Sequence, residues 1–194
     1  MTVFAMEQNK EYIRLAADLQ TDSIVDGPGL RAVLWTQGCA HHCKECQNPQ
    51  TWDFNGGGLV PIEMVLDAID ELEYQDGLTF SGGDPMFQPE ACNIIAEYAK
   101  SKGLNIWVYT GFTYEELITM AKKKPVYMEF LSKIDVLVDG KFVFEERDLS
   151  LLFRGSRNQR LIDVPKTLES GQITLFNESE YNEESVFEKA PMYV

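Results

Sequence analysis

No apolar run in this chain approaches the ~20 residues that a membrane-spanning helix needs. Its first ten residues lack the basic start and apolar core of a signal peptide. Positive charge is scarce: 17 Lys and Arg stand against 31 Asp and Glu, a formal net charge of −14. That balance excludes the basic surface on which nucleic-acid binding depends. Histidine is scarcer still, with only His41 and His42, so the two separated ligand pairs of a usual zinc motif are missing. Four cysteines, three of them clustered, do not make a disulfide framework. A reducing cytoplasm is the expected compartment. What is present is ordinary: 44% hydrophobic and 25% charged residues in 194, enough for one domain with a sizeable core. That domain is expected over residues 1–176. Residues 177–194, with Glu178, Glu180, Glu183, Glu184 and Glu188, read as an acidic solvated tail.

The conspicuous feature is a loop holding Cys39, Cys43 and Cys46, spaced C-x3-C-x2-C between Gly38 and Asn48-Pro49. A loop of that size can curl its sulfurs around one soft metal centre, and thiolates suit zinc or an iron–sulfur cluster. Zinc would take His41 or His42 as its fourth ligand. A four-iron cluster on three thiolates would keep one iron open, and an open position is what separates a catalytic metal site from a closed structural one. Cys92 lies far from this loop, inside a helical pattern, and is expected to be a packed thiol.

Apolar and β-branched runs predict strands at 12–19, 30–36, 78–81, 104–110 and 134–138. Helical spacing follows Pro61 (Ile62, Val65, Leu66, Ile69, Leu72), recurs at Ala91, Ile94, Ile95, Tyr98 and Ala99, and again over 114–123. Residues 161–164 and 173–176 suggest further strands. Strands alternating with helices indicate an α/β fold with a mostly parallel sheet and helices outside. A complete eight-stranded barrel takes ~250 residues, so this chain is expected to close only a partial (βα) barrel. In such folds chemistry sits at the C-terminal strand ends. The strand-to-loop junctions here carry Cys39, Gly82-Gly83-Asp84, Thr110-Gly111 and Asp139-Gly140-Lys141, which puts all four on one rim.

In this order, the motifs resemble those of the radical S-adenosylmethionine (SAM) superfamily, and within it the glycyl-radical-enzyme activases. They are D-G-P-G-x-R (26–31), C-x3-C-x2-C, T-W (51–52), S-G-G-D-P (81–85), W-V-Y-T-G (107–111), L-V-D-G-K-F (137–142) and R-G-S-x-N-Q-R (154–160). The last is similar to the C-terminal signature of activators of the anaerobic ribonucleotide reductase. The resemblance spans residues 23–160. It implies a 4Fe–4S cluster on Cys39, Cys43 and Cys46, with SAM at the open iron. It further implies that Gly82, Gly83 and Asp84 meet the SAM amino group, that Thr110 and Asp139 lie beside SAM, and that Lys141 contacts its carboxylate or ribose. Asp26 becomes a candidate for positioning the substrate. Glu45 stands where the superfamily often has an aromatic residue near adenine, so adenine would be held otherwise.

The implied reaction is reductive cleavage of SAM to methionine and a 5′-deoxyadenosyl radical, which takes hydrogen from a glycine of the anaerobic ribonucleoside-triphosphate reductase. The implied electron donor is a flavodoxin or ferredoxin. Three alternatives stay open at the level of sequence: an activase of the pyruvate formate-lyase type, a radical SAM enzyme acting on a small molecule, and a zinc-stabilised binding module without catalysis.

Overall fold

The computed structural model describes residues 11–178. Its strands are β1 (Tyr12–Leu15), β2 (Gln20–Ser23), β3 (Arg31–Thr36), β4 (Gly58–Pro61), β5 (Gly77–Gly82), β6 (Asn105–Tyr109), β7 (Val136–Asp139) and β8 (Arg160–Asp163). Its helices are α1 (Ile62–Asp70), α2 (Pro89–Ser101), α3 (Tyr114–Ala121), α4 (Val126–Leu131) and α5 (Val164–Ser170). The expected acidic tail lies, from residue 179 onward, outside the described residues.

All eight strands join one sheet in the order β4-β1-β3-β5-β6-β7-β8, with β2 also on β3. The centre, β3-β5-β6-β7, is parallel. Its strands are apolar almost throughout because both faces are covered. The flanks are antiparallel: β1 and β2 on β3, β4 on β1, and β8 on β7. The fold is therefore α/β with a parallel core and antiparallel edges, and the strands form an open path from β4 to β8.

Alternation along the strands sorts the two faces. Leu34, Phe80, Ile106, Val108 and Leu137 meet Ile69, Ile95, Leu117 and Phe130 from the helices in the main core. The opposite face carries Trp107, Val136, Val138 and Leu161, joined by Tyr109, Phe153 and Phe176. All five helices contribute to the first cluster, which leaves the second face to loops and to whatever binds there. On that face Arg31 is buried, donating to Thr79 Oγ1 at 3.0 Å and lying 5.8 Å from the Trp107 ring centre.

The edges depart from the sequence expectation for local reasons. The strand expected over 12–19 ends at Leu15, where a bend at 16–18 leads to a separate strand, β2, beyond the expected span. β4 was hidden by Gly56-Gly57-Gly58. Gly57, at φ 62°, lies so close to β1 that a Cβ would stand 2.1 Å from the Leu15 carbonyl oxygen, so glycine here admits an extra strand. Val164 opens a helix instead of ending a strand: Asp163 caps it by accepting from Lys166 N at 3.0 Å, and Pro165 suits its first turn. Residues 173–176 make only a bridge to β8.

The β7–β8 edge is fastened by Arg160, which pairs with buried Asp139 and with exposed Glu115 at 2.8 Å. The guanidinium holds the Glu115 carboxyl at about 2, below its ordinary 4.5. A depressed folded-state value contributes stability that is present above pH 4.5 and lost as pH falls toward 2. Glu115→Gln should therefore be less stable than wild type at pH 7 by under about 1 kcal/mol, given the exposure of the pair. Urea denaturation across this range should show that difference shrinking toward zero in acid.

Candidate metal centre

The parallel register aligns Thr36 with Gly82 and Tyr109 with Val138, so the loops leaving β3, β5, β6 and β7 emerge on one rim. The cysteine loop leaves β3 and curls back. Gly38 N–H donates to Thr51 O at 2.8 Å and Cys39 N–H to Trp52 O at 3.1 Å. Two non-glycine residues take left-handed backbone conformations, His42 (φ 48°) and Glu45 (φ 56°). Each directly precedes a cysteine, and each tightens the curl that brings the next sulfur inward. Such strained positions persist only where surrounding contacts enforce them.

A cavity of about 520 Å³ lies on this rim, lined by Cys39, Cys43 and Cys46 together with Gly82, Gly83, Thr110 and Gly111. Asp26 also lines it. Its carboxylate accepts from Ser23 Oγ at 2.5 Å, and its carbonyl accepts from Thr79 Oγ1 at 2.7 Å. Three residues that the sequence placed with these, Asp84, Asp139 and Lys141, do not line the cavity. Asp84 is buried and spends its carboxylate on protein donors. Asp139 is buried too, binding Arg160 and accepting from Tyr114 N–H at 2.8 Å. Lys141 is exposed outside the cavity, with its charge favouring the Cys43 thiolate. Glu45 is likewise exposed and outside it.

The Arg-Gly-Ser-x-Asn-Gln-Arg segment braces this rim. Gln159 Nε2 donates to Gly140 O at 3.0 Å, and Asn158 Nδ2 donates to Lys141 O at 2.8 Å. Its three arginines are paired within the chain: Arg154 with Glu178, Arg157 with Asp148, and Arg160 as above. That matches a basic cluster neutralising local carboxylates.

Sequence reasoning missed the cover of the cavity. Leu149, Leu151, Leu152 and Phe153 line it, from a segment with no periodicity to reveal it. Tyr109 OH donates to Phe153 O at 2.9 Å, and the Phe153 ring packs edge-on against Trp107. Phe153 itself sits at φ 54°, a rare conformation for an aromatic residue. Only the structure could show it.

The donor set fits an iron–sulfur group. All three cysteines are free. Burial pushes the Cys39 thiol up to about 11, against the pull of the His41 backbone amide, and raises Cys43, against that of Phe142. Cys46 Sγ accepts from Asn48 N–H at 3.4 Å. Cys39 and Cys43 thus each have an amide beside the sulfur to favour the thiolate, while the charge of neighbouring thiolates disfavours it until a cationic centre is present. Neither histidine is poised as a zinc ligand: His41 Nε2 is 2.7 Å from Asp84 Oδ2, and the His42 ring lies edge-on to Trp52. Among the described residues no three His, Cys, Asp or Glu side chains converge as one metal ion would need.

A family model described as "4Fe-4S single cluster domain" matches residues 25–162. Anaerobic ribonucleoside-triphosphate reductase-activating proteins from Salmonella typhi and Escherichia coli (strain K12) are 38% and 37% identical to this chain over 144 residues. Those matches cover 70% of this chain and 90% of each relative. The chain belongs to this family of activating proteins. The relative from Enterobacteria phage T4 is 36% identical over 145 residues, 71% of this chain and 86% of its own length. The crystal structure of QueE from Escherichia coli matches with a TM-score of 0.44 at 14% identity, covering 58% of this chain and 57% of that one, too partial a likeness to argue from. The matched family region takes in the cysteine loop and every rim junction, but only part of the Arg-Gly-Ser segment's continuation into β8 and α5.

Two substitutions separate structure from chemistry in this family member. A Cβ on Gly83 would stand 2.5 Å from the Gly38 carbonyl oxygen, so Gly83→Ala must displace the base of the cysteine loop and should cost more than about 2 kcal/mol in urea unfolding. Cys92 is buried in α2, and Cys92→Ala should cost about 1 kcal/mol while leaving metal content unchanged.

Proposed function

We propose that this chain is a radical SAM activase of the anaerobic ribonucleoside-triphosphate reductase, with Cys39, Cys43 and Cys46 as ligands of one 4Fe–4S cluster. The observation that carries the proposal is the gathering of three free thiols with the Gly82-Gly83 and Thr110-Gly111 turns on one cavity. Family membership supports the reductase as the protein substrate. When bound, the cluster supplies one electron to SAM, whose cleavage provides the oxidant that removes hydrogen from a glycine of the reductase.

The chain's own residues bind and orient. Gly82 and Gly83 bring bare backbone to the cavity wall, with no side chain to hold off the amino-acid part of SAM. Thr110 has its hydroxyl committed within the protein, donating to Asp84 and accepting from Phe112 N–H, so its contribution to SAM is positional. Lys141 supports the thiolate form of Cys43. Asp26, on the cavity wall, is the group to steer the incoming glycine segment. Leu149, Leu151 and Leu152 give the cavity an apolar edge. Asp84 and Asp139 serve as framework. In this reading the sheet is the wall of a partial (βα) barrel, the electron donor is of flavodoxin or ferredoxin type, and the compartment is the reducing cytoplasm. Among the described residues no helix is long and apolar enough to cross a membrane.

The deciding experiment is electron paramagnetic resonance on anaerobically reconstituted, dithionite-reduced protein, with and without SAM. A reduced-cluster signal that changes on adding SAM is expected, together with methionine release. Alanine at Cys39, Cys43 or Cys46 should abolish both while the fold survives. A protein that holds zinc and gives no cluster signal would sink the proposal.

A further inference from the structure

Asp84 stands in the segment expected to meet the SAM ammonium, yet its carboxylate is turned into the protein. Oδ2 accepts from His41 Nε2 at 2.7 Å, from Thr110 Oγ1 at 3.0 Å and from Gly111 N–H at 2.9 Å. Oδ1 accepts from Met86 N–H at 2.9 Å. One buried oxygen thus ties together loops that leave three different strands: the cysteine loop after β3, its own loop after β5 and the Thr-Gly turn after β6.

His41 is the cysteine loop's contribution. It lies midway between Cys39 and Cys43, and its side chain is 8% exposed. Its ring packs edge-on to Phe112 with centres 4.6 Å apart and tilted to Phe87 at 5.7 Å. Gly111 fits against it so closely that a Cβ there would stand 2.4 Å from the ring. The backbone amide of the same residue acts on Cys39. A side chain fixed at one end therefore sets the position of an amide at the other, and amides near cluster sulfurs tune iron–sulfur potentials.

We propose that His41 is a positioning residue, latched by Asp84, that sets Cys39 and the cysteine loop against the loops of β5 and β6. Its consequence for a cluster rests on the function proposed above. The latch itself is a property of the polypeptide and is tested without any cofactor.

The test uses the full chain in its metal-free, reduced form. Iodoacetamide alkylation is followed residue by residue by mass spectrometry, with buried Cys92 as internal control. His41→Ala should speed alkylation of Cys39 by about tenfold, the scale of losing one buried charge-assisted hydrogen bond, with Cys92 unchanged. His41→Gln, whose amide can still donate to Asp84, should return Cys39 to the wild-type rate. In reconstituted protein His41→Ala should shift the reduction potential and the resonance spectrum, and His41→Gln should restore both. Wild-type Cys39 reactivity in His41→Ala would overturn the latch. So would parallel acceleration of Cys92, which would signal general loosening, or a failure of glutamine to restore Cys39. A wild-type chain that takes up no cluster would overturn the proposed function instead, leaving the alkylation rates to decide the latch.

Discussion

No side chain fits between the end of β5 and the end of β3, and the rim is built on that closeness. A Cβ on Gly82 would stand 2.5 Å from Thr36 O, and one on Gly83 equally near Gly38 O. With both positions bare, Gly83 N–H donates to Thr36 O at 2.7 Å and Asp84 N–H to Gly38 O at 3.0 Å. The parallel pairing of the two strands thus continues past their ends into the base of the cysteine loop. Glycine here does two things with one property. It lets two backbones touch, and it leaves the cavity side of that contact open to a ligand.

Once the loop bases are joined, the electrostatics follow. A protein with a net charge of −14 has little cation to spare for three adjacent thiolates. Arg154, on the cavity wall, is paired with Glu178, and Arg157 and Arg160 beyond it are paired with Asp148, Asp139 and Glu115, while burial raises Cys39 and Cys43. The loop is consequently a poor holder of bare thiolates and a good holder of a cationic centre, which would supply the missing charge and release the protons.

The centre of the fold was legible because its signal is local. β3, β5, β6 and β7 are apolar runs ending in glycine or turn residues, and the helices between them repeat their apolar positions every three or four residues. The flanks were not, because their cause is non-local: β4 exists only because Gly57 can approach Leu15, and α5 depends on a cap by Asp163. The site divides along the same line. Spacing revealed the three cysteines, and strand ends revealed the glycine turns. Tyr109 and Phe153 carry no chemical pattern, and their clasp depends on a strand and a distant loop meeting in space.

Asp84 and Asp139 show what a motif can conceal. Each is an acidic residue at a strand end beside the cavity, and each was read from sequence as a group for SAM. Each is instead buried and saturated with donors from neighbouring elements: Asp84 with His41, Thr110, Gly111 and Met86, and Asp139 with Arg160 and Tyr114 N–H. A buried carboxylate is costly unless fully hydrogen-bonded, and once it is, it has little capacity left for a ligand. The same residues that mark the rim in sequence therefore act by fixing where the loops stand, while the cavity wall beside them is formed by Cys39, Cys43, Cys46, Gly82 and Gly83. That division gives the cavity a rigid frame and keeps Asp84 and Asp139 off its wall, where the lining carboxylates are those of Asp26 and Asp148.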